Sequence, residues 1–186
     1  MQRIEGYDNA QAYTGEITSL PAGKYVCKIV GARDTVTQTG KRQLVLMLDI
    51  AEGEYEGYFS AAYKRSQSNY GKDAKWSNGG LYRQGYEGKQ LPWFKGLMTA
   101  IEAWNAGYRW NWDESTLKGK FIGIVFGREQ YIGSDGQPRL ATKALMARSP
   151  EGLETAEVPA DKLLPIAQTG ASGYVDLDAS EDDLPF

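Results

Sequence analysis

Basic and aromatic residues alternate through residues 63–95, and side chains of these two types together bind nucleic acids. This basic stretch holds seven Lys and Arg residues against Asp73 and Glu87. Cations neutralise phosphates, and aromatic rings stack on unpaired bases at ~1–3 kcal/mol per base. The pattern therefore predicts a surface for single-stranded nucleic acid. The residues predicted to form it are Lys64, Arg65, Tyr70, Lys72, Lys75, Trp76, Tyr82, Arg83 and Tyr86.

The two tryptophans of the stretch receive different predictions. Trp76 is the better stacking candidate, because Lys75 precedes it, polar and glycine residues follow it, and no core face is evident. Trp93 is predicted to lie in the core, since it has helical spacing from Leu97. Basic residues on the predicted strands could extend the surface, namely Lys24, Lys28, Arg33, Lys41, Arg42 and Arg128.

The residue types that are missing exclude several kinds of catalysis. The chain has no histidine, and Cys27 is its only cysteine, which excludes Ser-His-Asp triads, Cys-His pairs and the usual zinc sites. Residues 176–182 begin like a calcium loop, but Glu181 occupies the glycine position. Residues 110–114 combine two tryptophans with two acids, a combination that glycosidases use to stack and cleave sugars. Their short spacing favours a lid on the core instead. We expect a protein that is not an enzyme and that has no cofactor and no metal.

The charge of the chain is unevenly distributed. Residues 1–148 hold 20 basic and 15 acidic residues, whereas residues 149–186 hold Lys162 against nine acids. A basic body with an acidic tail is typical of proteins that bind nucleic acid. The predicted domains are residues 1–148 for nucleic-acid binding and residues 149–186 as a flexible linker and acidic protein-interaction tail. Within the latter, residues 170–186 are predicted to be disordered.

Alternating hydrophobicity predicts a mainly β protein. Residues 41–51 give the clearest strand, because Leu44, Leu46, Leu48 and Ile50 share one side of it. One amphipathic helix is predicted over residues 91–105, with Pro92 in its first turn. Residues 64–90 have no sustained period and are predicted to be a long loop insertion. The five predicted strands are residues 23–36, 41–51, 58–63, 120–132 and 137–148.

Three strands, one helix and two strands follow each other in the order of the five-stranded OB barrel, whose sheet face and loops bind oligonucleotides or oligosaccharides. The expected fold is therefore an OB-like barrel with one helix between strands 3 and 4, although another small barrel or sandwich would give the same order. No apolar run approaches the ~20 residues that a membrane span needs. Residues 1–10 lack the apolar stretch of a signal peptide, so we expect a cytoplasmic protein without a membrane partner.

The last six residues, Glu181 to Phe186, place acids directly before Leu, Pro and Phe. This ending resembles the acidic tip of bacterial and phage single-stranded DNA-binding proteins. The resemblance implies an OB-like protein that coats single-stranded DNA during replication, recombination and repair and that could form homo-oligomers. With its long insertion, the chain is more similar to the phage or prophage type, acting in the cytoplasm of a bacterial host. The resemblance also implies that replication and recombination proteins are recruited by Asp182, Asp183, Leu184, Pro185 and Phe186.

Two other functions share part of these signals. A carbohydrate-binding β module would use the same Trp and Tyr platforms, and a protein adaptor without catalytic activity would bind DNA only incidentally. Salt separates the first from a DNA-binding protein, because binding to a neutral sugar responds little to ionic strength.

Overall fold

The computed structural model describes residues 19–165, which contain five strands and three α-helices. All neighbouring strands pair antiparallel in one sheet of order β3-β2-β1-β4-β5. The chain is therefore mainly β, as predicted. The elements are β1 Gly23–Val36, β2 Arg42–Ile50, α1 Tyr58–Tyr70, β3 Leu81–Gly85, α2 Leu91–Trp104, β4 Phe121–Ile132, β5 Pro138–Arg148 and α3 Pro150–Thr155.

The core lies on one face of the sheet, under α2. Alternate residues of the three central strands point into it, because successive side chains of a strand face opposite sides. The apolar side of α2 packs into the same core and contacts β3, β4 and β5, and the predictions for β1, β2, β4, β5 and α2 are confirmed. The buried side chains are Cys27 and Ile29 on β1, Leu44, Leu46 and Leu48 on β2, Ile122, Ile124 and Phe126 on β4, and Phe94, Leu97, Met98 and Ile101 on α2.

A β-bulge changes which side chains of β1 face the core. The register between β1 and β2 shifts between Ile29 and Gly31. Such a bulge adds one residue to a strand and so reverses its alternation. Before the bulge, Lys24 and Lys28 are exposed on the opposite face from the core. After it, Asp34 is the cross-strand partner of the buried Leu44 and reaches the core side of the sheet.

Residues 58–63, predicted as a strand, form the first half of α1 instead. The helix has no side-chain cap of its own, and Gly57 before it has φ 73°. The cap comes from β2, where Asp49 is 7% exposed and its Oδ1 accepts the Phe59 N–H at 2.9 Å and the Ile50 N–H at 3.0 Å. Phe59 is buried in the core. A capping carboxylate nine residues upstream of the helix is invisible to local periodicity.

The prediction that residues 64–90 form one long loop is also partly wrong. It contains the end of α1, three short 3-10 turns and the third strand, β3. The only strong apolar residue of β3 is Leu81, and the strand is held by its pairing with β2, in which Tyr82 lies opposite Leu46. The described chain therefore has α1 and α3 in addition to the one predicted helix.

Residues 149–165 lie against the sheet, beyond the body boundary predicted at residue 148. Leu153 of α3 is 8% exposed, and Lys24 Nζ donates to the Glu154 carbonyl at 2.7 Å. Residues 156–165, here called the strap, run beside β4, and Lys162 forms an isolated parallel bridge with Glu129. Within residues 19–165, no helix combines the length and the apolar character needed to cross a membrane. The predicted disordered tail lies outside the described residues.

Candidate nucleic-acid interface

The outer side of α1 carries the first part of the basic stretch. Lys64 and Arg65 are exposed there, whereas Phe59 and Tyr63 of the same helix turn toward the core. Tyr70, in the last turn, is 68% exposed. Because α1 contains no acidic residue, its exposed side has purely positive charge.

Lys72 and Lys75 follow α1 and are exposed as well. Together with Lys64 and Arg65 they form a quartet that we call the basic quartet. No carboxylate within residues 19–165 pairs with any member of the quartet. Four cations that have no carboxylate partner in the described part of the chain, near an exposed ring, are available to an external polyanion.

Trp76 does have a core contact, so the expectation that it lacks one is wrong. Its ring is half-buried and lies 5.3 Å from the Tyr63 ring, centre to centre. Gly80 allows this packing, since a Cβ there would lie 2.8 Å from Trp76 Nε1 and 2.8 Å from the Phe59 ring. The buried indole N–H of Trp76 has no hydrogen-bond acceptor among the described residues. Whether Trp76 stacks on a base stays a prediction.

Tyr82 is similarly packed, because it faces the core from β3. Burial raises the pKa of its hydroxyl, against smaller opposing effects of the Ala147 backbone and Arg148 on β5. Arg83, the next residue, points the other way and donates to Asn78 Oδ1 at 3.0 Å. It shares a row with Val45 and Arg33, so two arginines flank a valine on the face away from the core. Lys28 is exposed on that face as well.

Two predicted arginines already have carboxylate partners. Arg42 pairs with Asp34, and its guanidinium carbon lies 5.3 Å from the centre of the Tyr86 ring. Arg128 holds Asp161 through two hydrogen bonds, of 2.8 Å from Nε and 2.6 Å from Nη2. A phosphate would have to displace a carboxylate to bind either side chain. Lys41, beside Arg42, is exposed and makes no such pair within residues 19–165.

Trp93 is not in the core, contrary to its prediction. It is 62% exposed on α2, because the buried side of that helix is centred on its neighbour Phe94 and on Leu97 and Ile101. Leu91, at the start of the helix, is 51% exposed. The helical spacing was real, but it placed Trp93 at the margin of the apolar side.

The sequence did not predict an aromatic cavity between the end of the β1–β2 hairpin and α2. This cavity of about 190 Å³ is lined by the rings of Tyr86, Phe94, Trp110 and Trp112 and by side chains of β1 and β2. Trp112 is 73% exposed and lies 6.2 Å from Phe94 and 6.1 Å from Trp110, between ring centres. Of the two tryptophans expected to cover the core, Trp110 does pack on it, whereas Trp112 faces solvent.

The backbone of Trp112 is strained, with φ 66°, the only positive φ of a non-glycine residue in the described chain. Such a conformation costs about 1–3 kcal/mol and persists where the surroundings impose it. Glu102 Oε1 accepts a hydrogen bond from the backbone N–H of Trp110 at 2.9 Å, and Asn111 Oδ1 accepts one from the backbone N–H of Asp113 at 3.2 Å. Hydrogen bonds on both sides thus hold Trp112 in place. An exposed ring on strained backbone is a common feature of binding sites.

A second and larger cavity, of about 440 Å³, is lined by residues 77–79 and by the β4–β5 hairpin. Tyr58 and Phe59 line its base, and Tyr131, Leu140 and Lys143 line its hairpin side. Tyr131 is 38% and Leu140 42% exposed. The larger cavity therefore places further aromatic and apolar surface next to the segment that carries the basic quartet.

Neither cavity has the groups of a metal centre or a thiol catalyst. Within residues 19–165, no three Cys, Asp or Glu side chains are arranged to hold a metal ion. Cys27 is buried, and burial raises the pKa of its thiol far above the ordinary value, which suppresses the reactive thiolate.

Comparison with known proteins gives one partial match. A family model described as "Protein of unknown function (DUF669)" matches residues 5–79, less than half of the chain, and the match ends before β3. No curated protein matches the chain. The predicted partner-binding residues Asp182, Asp183, Leu184, Pro185 and Phe186 lie outside the described residues.

Proposed function

We propose that this protein binds single-stranded DNA without catalysing a reaction. The observation that carries the proposal is the basic quartet, which is exposed, has no carboxylate partner within residues 19–165, and lies beside the exposed Tyr70. Cations of this kind follow phosphates, and exposed rings stack on bases whatever their sequence. Binding is then sequence-tolerant and weakens as salt rises.

We further propose that the sheet is OB-like. The strands β1, β2 and β3 are consecutive neighbours, α2 lies between β3 and β4, and β1 pairs with β4, all as in that fold. Closure would bring β3 toward β5, and Tyr82 of β3 does lie near Ala147 and Arg148 of β5. OB folds bind through the β2–β3 face and the loops β1–β2 and β4–β5. One cavity of this protein borders each of these loops.

The acidic tip supports a second part of the proposal, in which a bound strand is linked to other proteins. Asp182 and Asp183 precede an apolar end in Phe186, a chemistry that suits a pocket with basic side chains around a hydrophobic floor. Replication and recombination proteins are the proposed partners.

The test is a titration of a fluorescently labelled thymidine oligonucleotide, followed by anisotropy between about 20 and 300 mM salt. For single strands, log K falls with log salt at a slope near −0.7 for each phosphate contacted. Replacing Lys64 and Arg65 by Gln should therefore make the slope shallower by about 1.4. The matched control, Lys118→Gln with Lys162→Gln, removes two exposed charges outside the basic stretch and should leave the slope unchanged.

Absence of binding at the lowest salt would refute the proposal. If both double variants bind with equal salt slopes, the DNA interface does not include the basic residues of α1. Weak dependence on salt, with an affinity for neutral oligosaccharides, would favour a carbohydrate-binding module instead.

A further inference from the structure

The aromatic cavity lies apart from the basic quartet and has its own chemistry. Its four rings are contributed by three separate segments: Tyr86 follows β3, Phe94 lies on α2, and Trp110 and Trp112 belong to the loop after α2. Since hydrogen bonds of Glu102 and Asn111 hold that loop, the exposed Trp112 ring is positioned before any ligand arrives. A preformed aromatic site suits a ligand with a flat face.

The size of the cavity limits the ligand to one small ring system. Pockets for drug-sized molecules have roughly 300–1,000 Å³, whereas this cavity has about 190 Å³. The exposed Trp112 ring borders it next to Phe94, whose plane is inclined by 31° to that of Trp112. A single base could stack on Trp112 while the rest of its strand stayed outside.

Glu114 gives the cavity lining a hydrogen-bond acceptor. The residue is half-buried, and its carboxylate has neither a hydrogen-bond donor nor a cation as partner within residues 19–165. The other carboxylate of the lining, Asp34, is already occupied by the Tyr86 hydroxyl and by Arg42. An ionised carboxylate only accepts hydrogen bonds, so Glu114 favours a ligand that donates them.

We propose that this cavity binds one unpaired base of the DNA strand, stacked on Trp112, and prefers bases whose amino group donates to Glu114. The inference rests on the proposed function and adds a base preference to it. Cytosine and thymine provide the sharpest comparison, because both are single rings. Cytosine carries an amino donor at the position where thymine carries a carbonyl, which a carboxylate would repel.

The experiment compares labelled dC15 and dT15 on the full chain, in competition at one salt concentration. Wild-type protein should prefer dC15 by about tenfold, as expected for one good polar contact to a base edge. Glu114→Gln supplies a donor as well as an acceptor and should bring the ratio of the two affinities to about one. Glu151→Gln, which removes the same charge from the exposed side of α3, should keep the preference.

The stacking part is tested with Trp112→Gly, because glycine adopts φ 66° without strain and the ring it removes is exposed. This variant should keep its thermal midpoint and bind both oligonucleotides about tenfold more weakly. Trp93→Ala removes an exposed ring that does not line the cavity and should preserve the dC15 preference.

The outcomes separate this inference from the proposed function. Binding of both oligonucleotides with a ratio that Glu114→Gln does not change would overturn the base site and leave DNA binding standing. Failure of the wild-type chain to bind either one would overturn both. Quenching by maltoheptaose that Trp112→Gly abolishes would assign the cavity to a sugar and refute the base site.

Discussion

The hydroxyl of Tyr86 donates a hydrogen bond of 2.6 Å to Oδ1 of Asp34, across a sheet in which their strands are not neighbours. Asp34 is near the end of β1, Tyr86 follows β3, and Arg42 at the start of β2 pairs with the same carboxylate. The cluster joins three strand ends at the aromatic cavity. It also lowers the pKa of Asp34, chiefly through the Tyr86 hydrogen bond and then through Arg42, against the effect of partial burial.

Asp34→Asn should change how the free energy of unfolding depends on pH in the acidic range. A carboxyl with a lowered folded-state pKa contributes stability at pH values above its ordinary 3.8, and this contribution is lost as the pH falls below that value. Urea unfolding at pH 7 should find the variant less stable by about 1 kcal/mol, since the pair is largely exposed. Below the lowered pKa of Asp34 the two proteins should have equal stability. A difference that persisted there would show that the loss is not due to the charge.

The same cluster should also affect the titration of Tyr86 at high pH. Burial and the Asp34 hydrogen bond raise the pKa of Tyr86 to about 12, so the stability that the neutral hydroxyl contributes is lost as the pH rises from about 10 to 12. In Asp34→Asn the Tyr86 pKa should fall toward 10. The measurement is the pH dependence of the Tyr86 ¹³Cζ resonance in the wild type and in the variant. An unchanged Tyr86 titration would contradict the role of Asp34.

Asp49→Ala should weaken α1 more than the rest of the fold. It leaves the N–H groups of Ile50 and Phe59 without their acceptor, and unsatisfied buried groups cost ~1–3 kcal/mol. We expect a loss of about 2–3 kcal/mol in the free energy of unfolding, with faster amide exchange along α1. Asp73→Ala removes an exposed acid just after α1 and should be neutral. Equal exchange in α1 for both variants would exclude the capping role.

Asp161→Ala should release the strap while the sheet stays folded. Asp161 holds Arg128 by two hydrogen bonds, and the strap adds two backbone hydrogen bonds between Lys162 and β4. We expect trypsin to cut after Lys162 several-fold faster, with a loss of global stability below ~1 kcal/mol. Asp135→Ala breaks an exposed pair with Arg139 and serves as the control. If both variants were cut at the wild-type rate, the side-chain pair would not be what holds the strap.

Local pattern predicted the elements whose stability is local or strongly alternating. The residues of β2 alternate apolar and polar side chains, and the apolar side of α2 repeats every three to four residues, so both were recognised. Failure came where a distant partner decides the structure. Asp49 starts α1 from another strand, and β3 is held by β2 rather than by its own composition.

The candidate site was predicted unevenly for the same reason. The exposure of Lys64, Arg65, Lys72 and Lys75 follows from charge alone. The position of an aromatic ring does not, because Trp, Tyr and Phe serve equally well in a core or on a surface. Trp76 and Trp93 accordingly exchanged their expected environments, and the aromatic cavity required segments that only the fold brings together.

The turn at residues 78–80 bears on how copies of this protein behave toward one another. An open sheet ends in two edge strands, and an uncovered edge can pair with another chain and start aggregation. A Cβ at Gly79 would lie 2.5 Å from the Thr142 carbonyl oxygen, so only glycine lets this turn close against the backbone of β5. The basic stretch thereby covers part of the β5 edge, where a second copy of the chain could otherwise pair, and this cover depends on a residue that has no side chain.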